Sequence, residues 1–572
     1  MSRFNLLDEP WISVVFDEKG STKEVSLLDF FQNAHHYKDL AGDTKTQDFA
    51  VLRVLLAVLH TVFSRFDANG NVYGYLEIDE KYRQIEEIEE DDLEEYEDDL
   101  YETWLTLWQN RQFPDIIEEY LKKWRDRFYL FDEEYPFFQV RKEDIEMVMD
   151  LNKDAGKIFG KNINRLVSES SNKIALFSPK HNYDNNKERL SNSEIVRWLL
   201  TYHGYSEIGG RMKKIGKRDY SKGWLYNLGG LFLKVKNLYE TLLLNLTLFY
   251  FEYDNHLHIQ KPCWEFDSAV IIDSYVSGKR IDNLASLYTS WSKEVYIDPH
   301  VVQPEFECRV AKIPAISPND LFLEPMTLWK YEENSFQPQS HYTNQSLWRS
   351  FGLITMGGME KLNHIPGIID WQRTIKDNIE NASINICSVG MVSDKKANNT
   401  PIIEVFDTLS INEFVLTDIQ KDGWVIRIND EVDRVKKVIS HTYAYFVKDV
   451  IVIRKHIEEK EIPKLKKSIL RGSLFRQDYE KQISNRIEEL YFKIDQPFRQ
   501  WLSNIQPGDD KDSKILEWRE ILEKIVLKEA KSLLYEGNPR DYIGWSYGEP
   551  KTFHNIATAY ESFTYWLNKN LK

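Results

Sequence analysis

Three cysteines are all that 572 residues supply, Cys263, Cys308 and Cys387, far apart and without a CxxC pair. That scarcity argues against a disulfide framework and a cysteine-based zinc site, and it fits a reducing cytoplasm. Long apolar runs are also lacking. None approaches the roughly 18 residues of a membrane span, and the opening MSRFNLLDEPW has no signal-peptide layout. The expectation is a soluble cytoplasmic protein with no membrane contact. Catalytic signatures are missing too: there is no GxxxxGK[ST], no GxSxG and no HExxH. His35-His36 with Asp39 has the look of a phosphohydrolase signature, but no second His-Asp pair accompanies it, and a helix-surface pair is the better reading. No catalytic residue, metal or cofactor is expected, and the balance favours a binding protein. The alternative is a metal-dependent nuclease or phosphohydrolase acting on nucleic acid through carboxylates gathered from distant positions.

What is present is length, apolar content and an uneven charge. The length calls for two or more domains. Apolar residues make up 42% and aromatics 13%, enough for large cores. The net charge of -17 says little about partners, because 12 of the 17 residues from Glu86 to Glu102 are acidic. Within and around that run Ile85, Ile88, Leu93, Tyr96, Leu100 and Trp104 recur at near-helical spacing, which predicts an amphipathic helix with an acidic outer face.

Against this background stands a basic island. From Arg211 to Lys236 there are eight Lys or Arg and one acid, Asp219, and seven glycines fall between Gly204 and Gly230. Glycine permits close backbone approach, and Lys and Arg neutralise phosphates. Arg211, Lys213, Lys214, Lys217 and Arg218 are therefore candidate phosphate contacts. A second basic loop, Asn152 to Arg165, precedes the capping box Ser191-x-x-Glu194, which opens a helix running to about His203. Two basic loops flanking one helix suggest a shared nucleic-acid face. Lys464 and Lys467 lie in a third basic stretch and are further phosphate candidates.

Other segments read as scaffold. Trp11 to Phe16 with the Lys19-Gly20 turn predicts a hairpin, followed by a helix entered through Ser26. Gln47 to Phe66 is apolar on almost every face, a buried helix with His60 packed in the core. Pro136 makes a turn before buried Phe137 and Phe138. Ser383 to Val392 and Pro401 to Phe406 predict two strands of a projecting hairpin with Asn398 and Asn399 near its tip. Four amphipathic sets follow: Val432, Val435, Ile439, Thr442 and Phe446; Ile483 through Ile505; Ile515, Trp518, Ile521 and Ile525; and Phe553, Ile556, Tyr560, Phe563 and Leu567. They predict an up-down four-helix bundle. The fold class is α+β, with a mixed α/β domain over 1–422 and the bundle over 423–572.

The segments FNLLDEPWISV, LRVLLAVLH, YPFFQV, IALFSP, NLYETLLLNL, EPMTLWK and SLWRSF, in that order, resemble the CasA family, the large subunit of the type I-E CRISPR surveillance complex (Cascade). The resemblance spans nearly the whole chain. It implies recognition of the protospacer-adjacent motif (PAM) in double-stranded DNA, chiefly from the minor groove, and the start of strand separation. The implied partners are the other Cascade subunits and guide RNA, the target duplex, and a recruited helicase-nuclease. By resemblance the groove loop falls on Ser221 to Gly230, with Lys222, Gly223 and Trp224 foremost and Gly229-Gly230 next. Lys293 matches a lysine reaching the same groove, and Asn398, Asn399 and Thr400 match a wedge hairpin. Leu176, Phe177 and Ser178 match a loop contacting the complex near the motif. Asn399 stands where relatives carry glutamine, so the wedge amide is one methylene shorter here.

Overall fold

The computed structural model describes residues 3–151, 153, 156–163, 188–207, 214–216, 222–249, 258–300, 305–316, 323–332, 334–356, 364–379, 383–394, 400–455, 474–547 and 552–572. Two compact units emerge from the chain's internal packing. The first holds Met1–Gln345 and Leu353–Thr408, and the second holds Ser346–Gly352 and Leu409–Lys572. The second unit thus opens before residue 423 and borrows a short insert. The insert belongs there because Trp348 is fully buried, lies tilted against Phe498 with ring centroids 4.5 Å apart, and donates from Nε1 to Asp495 at 2.8 Å.

In the first unit the strands Ile12–Val15 and Thr22–Val25 pair antiparallel around the Gly20 turn, where φ is +78°. Asp39–Leu40 adds to the other edge of Ile12–Val15. The helix Leu27–Asn33 follows, with Ser26 accepting from the Asp29 N–H as its N-cap. Helix Lys45–Phe63 runs through the core, and every residue from Thr46 to Phe63 is buried. By length and composition alone this helix is apolar enough to cross a membrane, contrary to the expectation that no run reaches that length. Its near-complete burial and its Arg53–Glu324 ion pair make it a core helix instead. His60 is packed against Tyr288, and burial pushes its pKa down to about 3.

The acidic segment forms a helix over Leu93–Asn110, burying Tyr96, Leu100, Trp104 and Leu107. It starts later than its spacing suggests. Ile85 lies outside any helix and is exposed, and a single 3-10 turn at Glu90–Asp92 precedes Leu93. Acids placed before a helix start are readily solvated, whereas inside the helix they would repel one another at i,i+4.

Two further three-stranded sheets frame the basic stretch. One has the order Thr400–Asn412, Ser383–Asp394, Gly230–Lys234, and the other the order Lys157–Phe159, Glu307–Lys312, Lys293–Tyr296.

The second unit is helical. Helix Trp424–Lys437 continues through a π segment, Val438–Tyr443, into Ala444–Lys455. It packs with Leu474–Ser503, Lys511–Tyr535 and Ile556–Leu571. Two details differ from the periodicity. The buried face of Lys511–Tyr535 is Ile515, Trp518, Leu522 and Val526, so the core stripe lies one position beyond Ile521 and Ile525. Phe553 is exposed in a short strand, Thr552–His554, paired with Trp545–Tyr547. Asn555 caps the last helix just after it, which fixes where the helical repeat begins.

Candidate nucleic-acid interface

The described part of the basic, glycine-bearing stretch is stitched to the protein at each end. Helix Asn192–Tyr205 begins with the capping box: Glu194 N–H donates to Ser191 Oγ, and Ser191 N–H donates to the Glu194 carboxylate. Its C-terminal turn meets Gly223, whose N–H donates to the Ser206 carbonyl at 2.9 Å. Gly223 is buried, and a Cβ there would lie 2.1 Å from the Gly204 carbonyl oxygen. Its φ of -56° is ordinary, so close approach, not left-handed backbone, demands glycine. A Cβ on Gly229 would meet the Gln339 oxygen at 1.9 Å. Gly230 opens a strand opposite Val389, where a Cβ would press on Phe49 and the Val389 oxygen. The backbone that these three glycines let approach is the protein's own.

Trp224 is half-buried and faces inward. Its Nε1 donates to Glu324 Oε2 at 2.6 Å, and Arg53 donates from both terminal nitrogens to the same carboxylate at 2.8 Å each. Met326 N–H adds a further donor at 3.1 Å, and the Arg53 guanidinium lies 4.1 Å over the Tyr288 ring. Lys222 stays half-buried, with its ammonium 4.6 Å over the Tyr226 ring. The Trp224 indole N–H is therefore engaged by Glu324, and a direct hydrogen bond from it to a groove is not available in this conformation.

Lys293 differs most from expectation. An isolated strand lysine ordinarily faces solvent, and the strand is there, but all four of its residues, Lys293–Tyr296, are buried. Lys293 has no exposed area. It sits in register opposite Lys312 on Glu307–Lys312. Lys312 in turn pairs in a short parallel bridge with Lys214 of the basic stretch, the Ile215 N–H donating to the Lys312 carbonyl at 2.9 Å. Lys293 donates to the Ser292 carbonyl at 3.2 Å. Burial first, then the Lys312 charge, push its pKa down to about 7, opposed by Glu207. Lys312 is lowered in the same way, by burial and then by Lys214.

His203, at the end of the entering helix, is buried beside them. Its Nε2 donates to the Phe138 carbonyl at 2.9 Å and its Nδ1 accepts from Ser292 N–H at 3.3 Å. Burial, with the Lys293 charge adding to it, lowers its pKa to about 4, so the ring is neutral. On the opposite face of the strand Glu294 is buried near Asp144, and burial raises its pKa to about 8. No group of three or more His, Cys, Asp or Glu suited to a metal occurs among the described residues.

The structure thus gathers Lys214 and Lys293, and draws Lys222, Gly223, Trp224, Gly229 and Gly230 into one stitched segment. Thr400 is described in its backbone only, as the first residue of Thr400–Asn412. Leu176, Phe177, Ser178, Arg211, Lys213, Lys217, Arg218, Asn398, Asn399, Lys464 and Lys467 lie outside the described residues. Three participants escape sequence reasoning. Arg53 is a charge in the apolar middle of a buried helix, which demands a buried partner. Glu324, inside EPMTLWK, is that partner. Lys312 ends ECRVAK on the same strand face as buried Cys308 and Val310, an alternation that marks it as inward-facing.

Fold and site together define a two-unit α+β chain whose larger unit carries an interior cluster of cations beside a basic loop. The chain belongs to the CRISPR-associated protein Cse1 family, whose sequence model matches residues 5–528. It is 28% identical over 293 residues to the CRISPR-associated protein CasA/Cse1 of Thermus thermophilus, a match spanning 51% of this chain and 46% of that relative. Its fold is similar to the crystal structure of Thermobifida fusca Cse1, at a TM-score of 0.73 and 22% identity over 99% of this chain and 98% of that one. It is also similar, at a TM-score of 0.62 and 14% identity over 99% of each chain, to a chain of a structure described as a CRISPR RNA-guided surveillance complex.

Proposed function

We propose that this chain is the large, non-catalytic subunit of a type I-E CRISPR surveillance complex (Cascade), acting in the cytoplasm with the other Cascade subunits and a guide RNA. In this reading it recognises the PAM in double-stranded target DNA from the minor groove, promotes strand separation, and helps recruit a helicase-nuclease. The observation that carries the proposal is family membership across residues 5–528. The physical setting supports it. The minor groove presents a degenerate acceptor pattern, which backbone N–H groups and lysines read coarsely. Base pairing with the guide then supplies most of the sequence information, and the protein supplies a short motif.

Lys222 is the cation of the groove loop. Gly223, Trp224, Gly229 and Gly230 act by fixing the path of that loop, and Asn398, Asn399 and Thr400 form the wedge. Leu176, Phe177 and Ser178 contact the complex near the motif. Arg211, Lys213, Lys217, Arg218, Lys464 and Lys467 contribute phosphate contacts.

The test compares guide-loaded complex with and without this chain on duplexes that differ only beside the protospacer, at fixed salt. Motif discrimination is expected only when the chain is present. Equal affinity gained for every flank would make the chain a non-specific clamp and overturn the proposal.

A further inference from the structure

We propose that the larger unit holds a binding site for a small amphipathic anion, an apolar body with one carboxylate or sulfonate head, in a cavity beside the helix Ser268–Ser277. The proposal does not depend on the DNA-binding reading, and it gives a ligand class to a region that reading leaves unused.

The first observation is a helix whose composition and burial disagree. SAVIIDSYVS is apolar, and an apolar helix ordinarily presses a stripe into a core, yet none of its ten residues is buried. Val270, Ser274 and Gly278, at steps of four, and Ile271 and Tyr275 beside them, line a cavity of about 430 Å³ instead. Cavities of about 300–1,000 Å³ accommodate drug-sized ligands. Phe266, Ile281 and Ile316 add to the apolar walls. Cys263 belongs with them, because burial pushes its thiol pKa up to about 12 and keeps it uncharged.

The second observation is where the polar groups of the wall are directed. Ser274 donates to the Ile271 carbonyl at 2.7 Å, Ser286 to the Lys261 carbonyl at 2.6 Å and Thr289 to the Ala285 carbonyl at 2.7 Å. Asn283 donates to Asp282 at 2.8 Å and accepts from the Lys261 and Ser286 N–H groups. These donors are spent inside the protein, so a ligand rich in polar edges, such as a nucleobase, would lose hydrogen bonds on entering.

Charge is the third. Among the described residues that line the cavity, Lys261, Lys279 and Arg280 stand against one carboxylate, Asp282. Lys261 and Asp282 lie 4.0 Å apart, at the outer limit of an ion pair. Lys279 and Arg280 are exposed, so the excess positive charge sits at the rim. Apolar walls with cations at the mouth match an apolar body carrying an anionic head, and hydrogen bonds between charged partners are the strong ones.

The experiment uses the full-length free chain and two probes of this chemistry, anilinonaphthalene sulfonate and decanoate. Fluorescence titration of the sulfonate should saturate at one site, and decanoate should displace it, while decyltrimethylammonium should not. Lys279→Ala, at the exposed rim, is expected to weaken both anions by roughly five- to tenfold. Ser274→Phe fills the cavity from a helix with no buried residue and should abolish binding at unchanged thermal midpoint. Should that variant lose stability, Ala315→Trp closes the cavity from its exposed edge instead.

Binding of the sulfonate without decanoate would assign an aromatic body, and of decanoate alone an aliphatic one. Absence of saturable binding overturns the site. So does binding that neither Lys279→Ala nor the cavity-filling variant weakens, or equal displacement by the cationic amphiphile, which would mark an unspecific apolar surface.

Discussion

Two buried charged groups in the larger unit obey opposite rules. Arg53 and Glu324 meet in a two-pronged pair, their side chains 2% and 0% exposed, with Trp224 and the Met326 N–H using more of the carboxylate's acceptor capacity. Arg65 and Glu265 repeat the arrangement, with Tyr120 donating to the carboxylate and the Gln260 and Tyr82 carbonyls accepting from the guanidinium. These networks close on themselves. Lys293 and Lys312 are buried too, and there burial first and a neighbouring lysine second lower the pKa of each. The difference is electrostatic: a carboxylate beside a buried guanidinium neutralises it, whereas a second lysine beside a buried lysine works against its charged form. The closed pair holds Trp224 of the segment Lys222 to Gly230, and the cluster takes Lys214 from the stretch just before it.

The strongest way to break this comparison is to open the closed pair. Arg53→Ala leaves Glu324 buried without its main counter-charge and is expected to cost about 3–5 kcal/mol. Chemical denaturation followed by a probe in the larger unit measures it. Replacing both partners, as Arg53→Met with Glu324→Leu, should cost far less, because the penalty comes from the charge left behind. If the double replacement is as damaging as the single one, the pair does more than neutralise itself.

The next effect turns on pH. The folded pKa of Lys293 is lowered to about 7 from 10.5. Between those values the unfolded chain binds more protons than the folded one, so this residue makes stability rise with pH from about 7 to 10.5, its penalty being complete below 7. Glu294 runs the other way: its folded pKa is raised from 4.5 to about 8, so stability falls as pH rises through that interval. Among the described residues, the charged and titratable groups acting on them include Lys312 on the neighbouring strand, His203 and Glu207 near the end of the entering helix, and Asp144 on the other sheet face. Lys293→Met should therefore flatten the alkaline rise, by a few kcal/mol if the whole shift is removed, at about 1.4 kcal/mol per pKa unit. Thermal midpoints taken from about pH 6 to about pH 10, spanning the interval in which linkage acts, would show it. A variant with the wild-type slope would place the pH dependence elsewhere.

A smaller loss is expected from Gly229→Ala, about 1–3 kcal/mol, because its Cβ would meet the Gln339 backbone at 1.9 Å. The effect should appear in the free chain without DNA. Weakened binding with unaltered stability would instead mean that a ligand occupies that space.

Much of the scaffold is legible in the sequence because burial and period agree there. The hairpin, the Ser26 and Ser191 caps, the core helix and the four-helix region each combine a local signal with an apolar stripe long enough to define its own geometry. Legibility fails where neighbouring residues compete for one face. Ile525 and Val526 are both apolar, and only the partner helices decide that Val526 faces inward. The site is harder still. Composition marks the basic loop, but charge density does not report direction. Trp224 and Lys293 turn inward through partners distant in sequence, Glu324 and Lys312. Glycine suggests room for a ligand, while the neighbours of Gly223 and Gly229 are backbone oxygens of the same chain. Arg53 and Lys312 are readable in principle, as lone charges on apolar faces.

Trp224→Phe is the finest cut, since it removes one hydrogen bond and keeps an aromatic ring. Bonds to a charged group are worth about 1.5–3 kcal/mol, and partial exposure of Trp224 favours the lower end. Glu324 retains Arg53, so the closed network survives and the fold with it. What changes is the tether between that network and the loop. A structural tether predicts faster amide exchange confined to residues 222–230, together with reduced duplex affinity and an unchanged salt slope, because no phosphate contact has been lost. A shallower slope would mean that fixing the path of the loop also sets the charge the DNA meets.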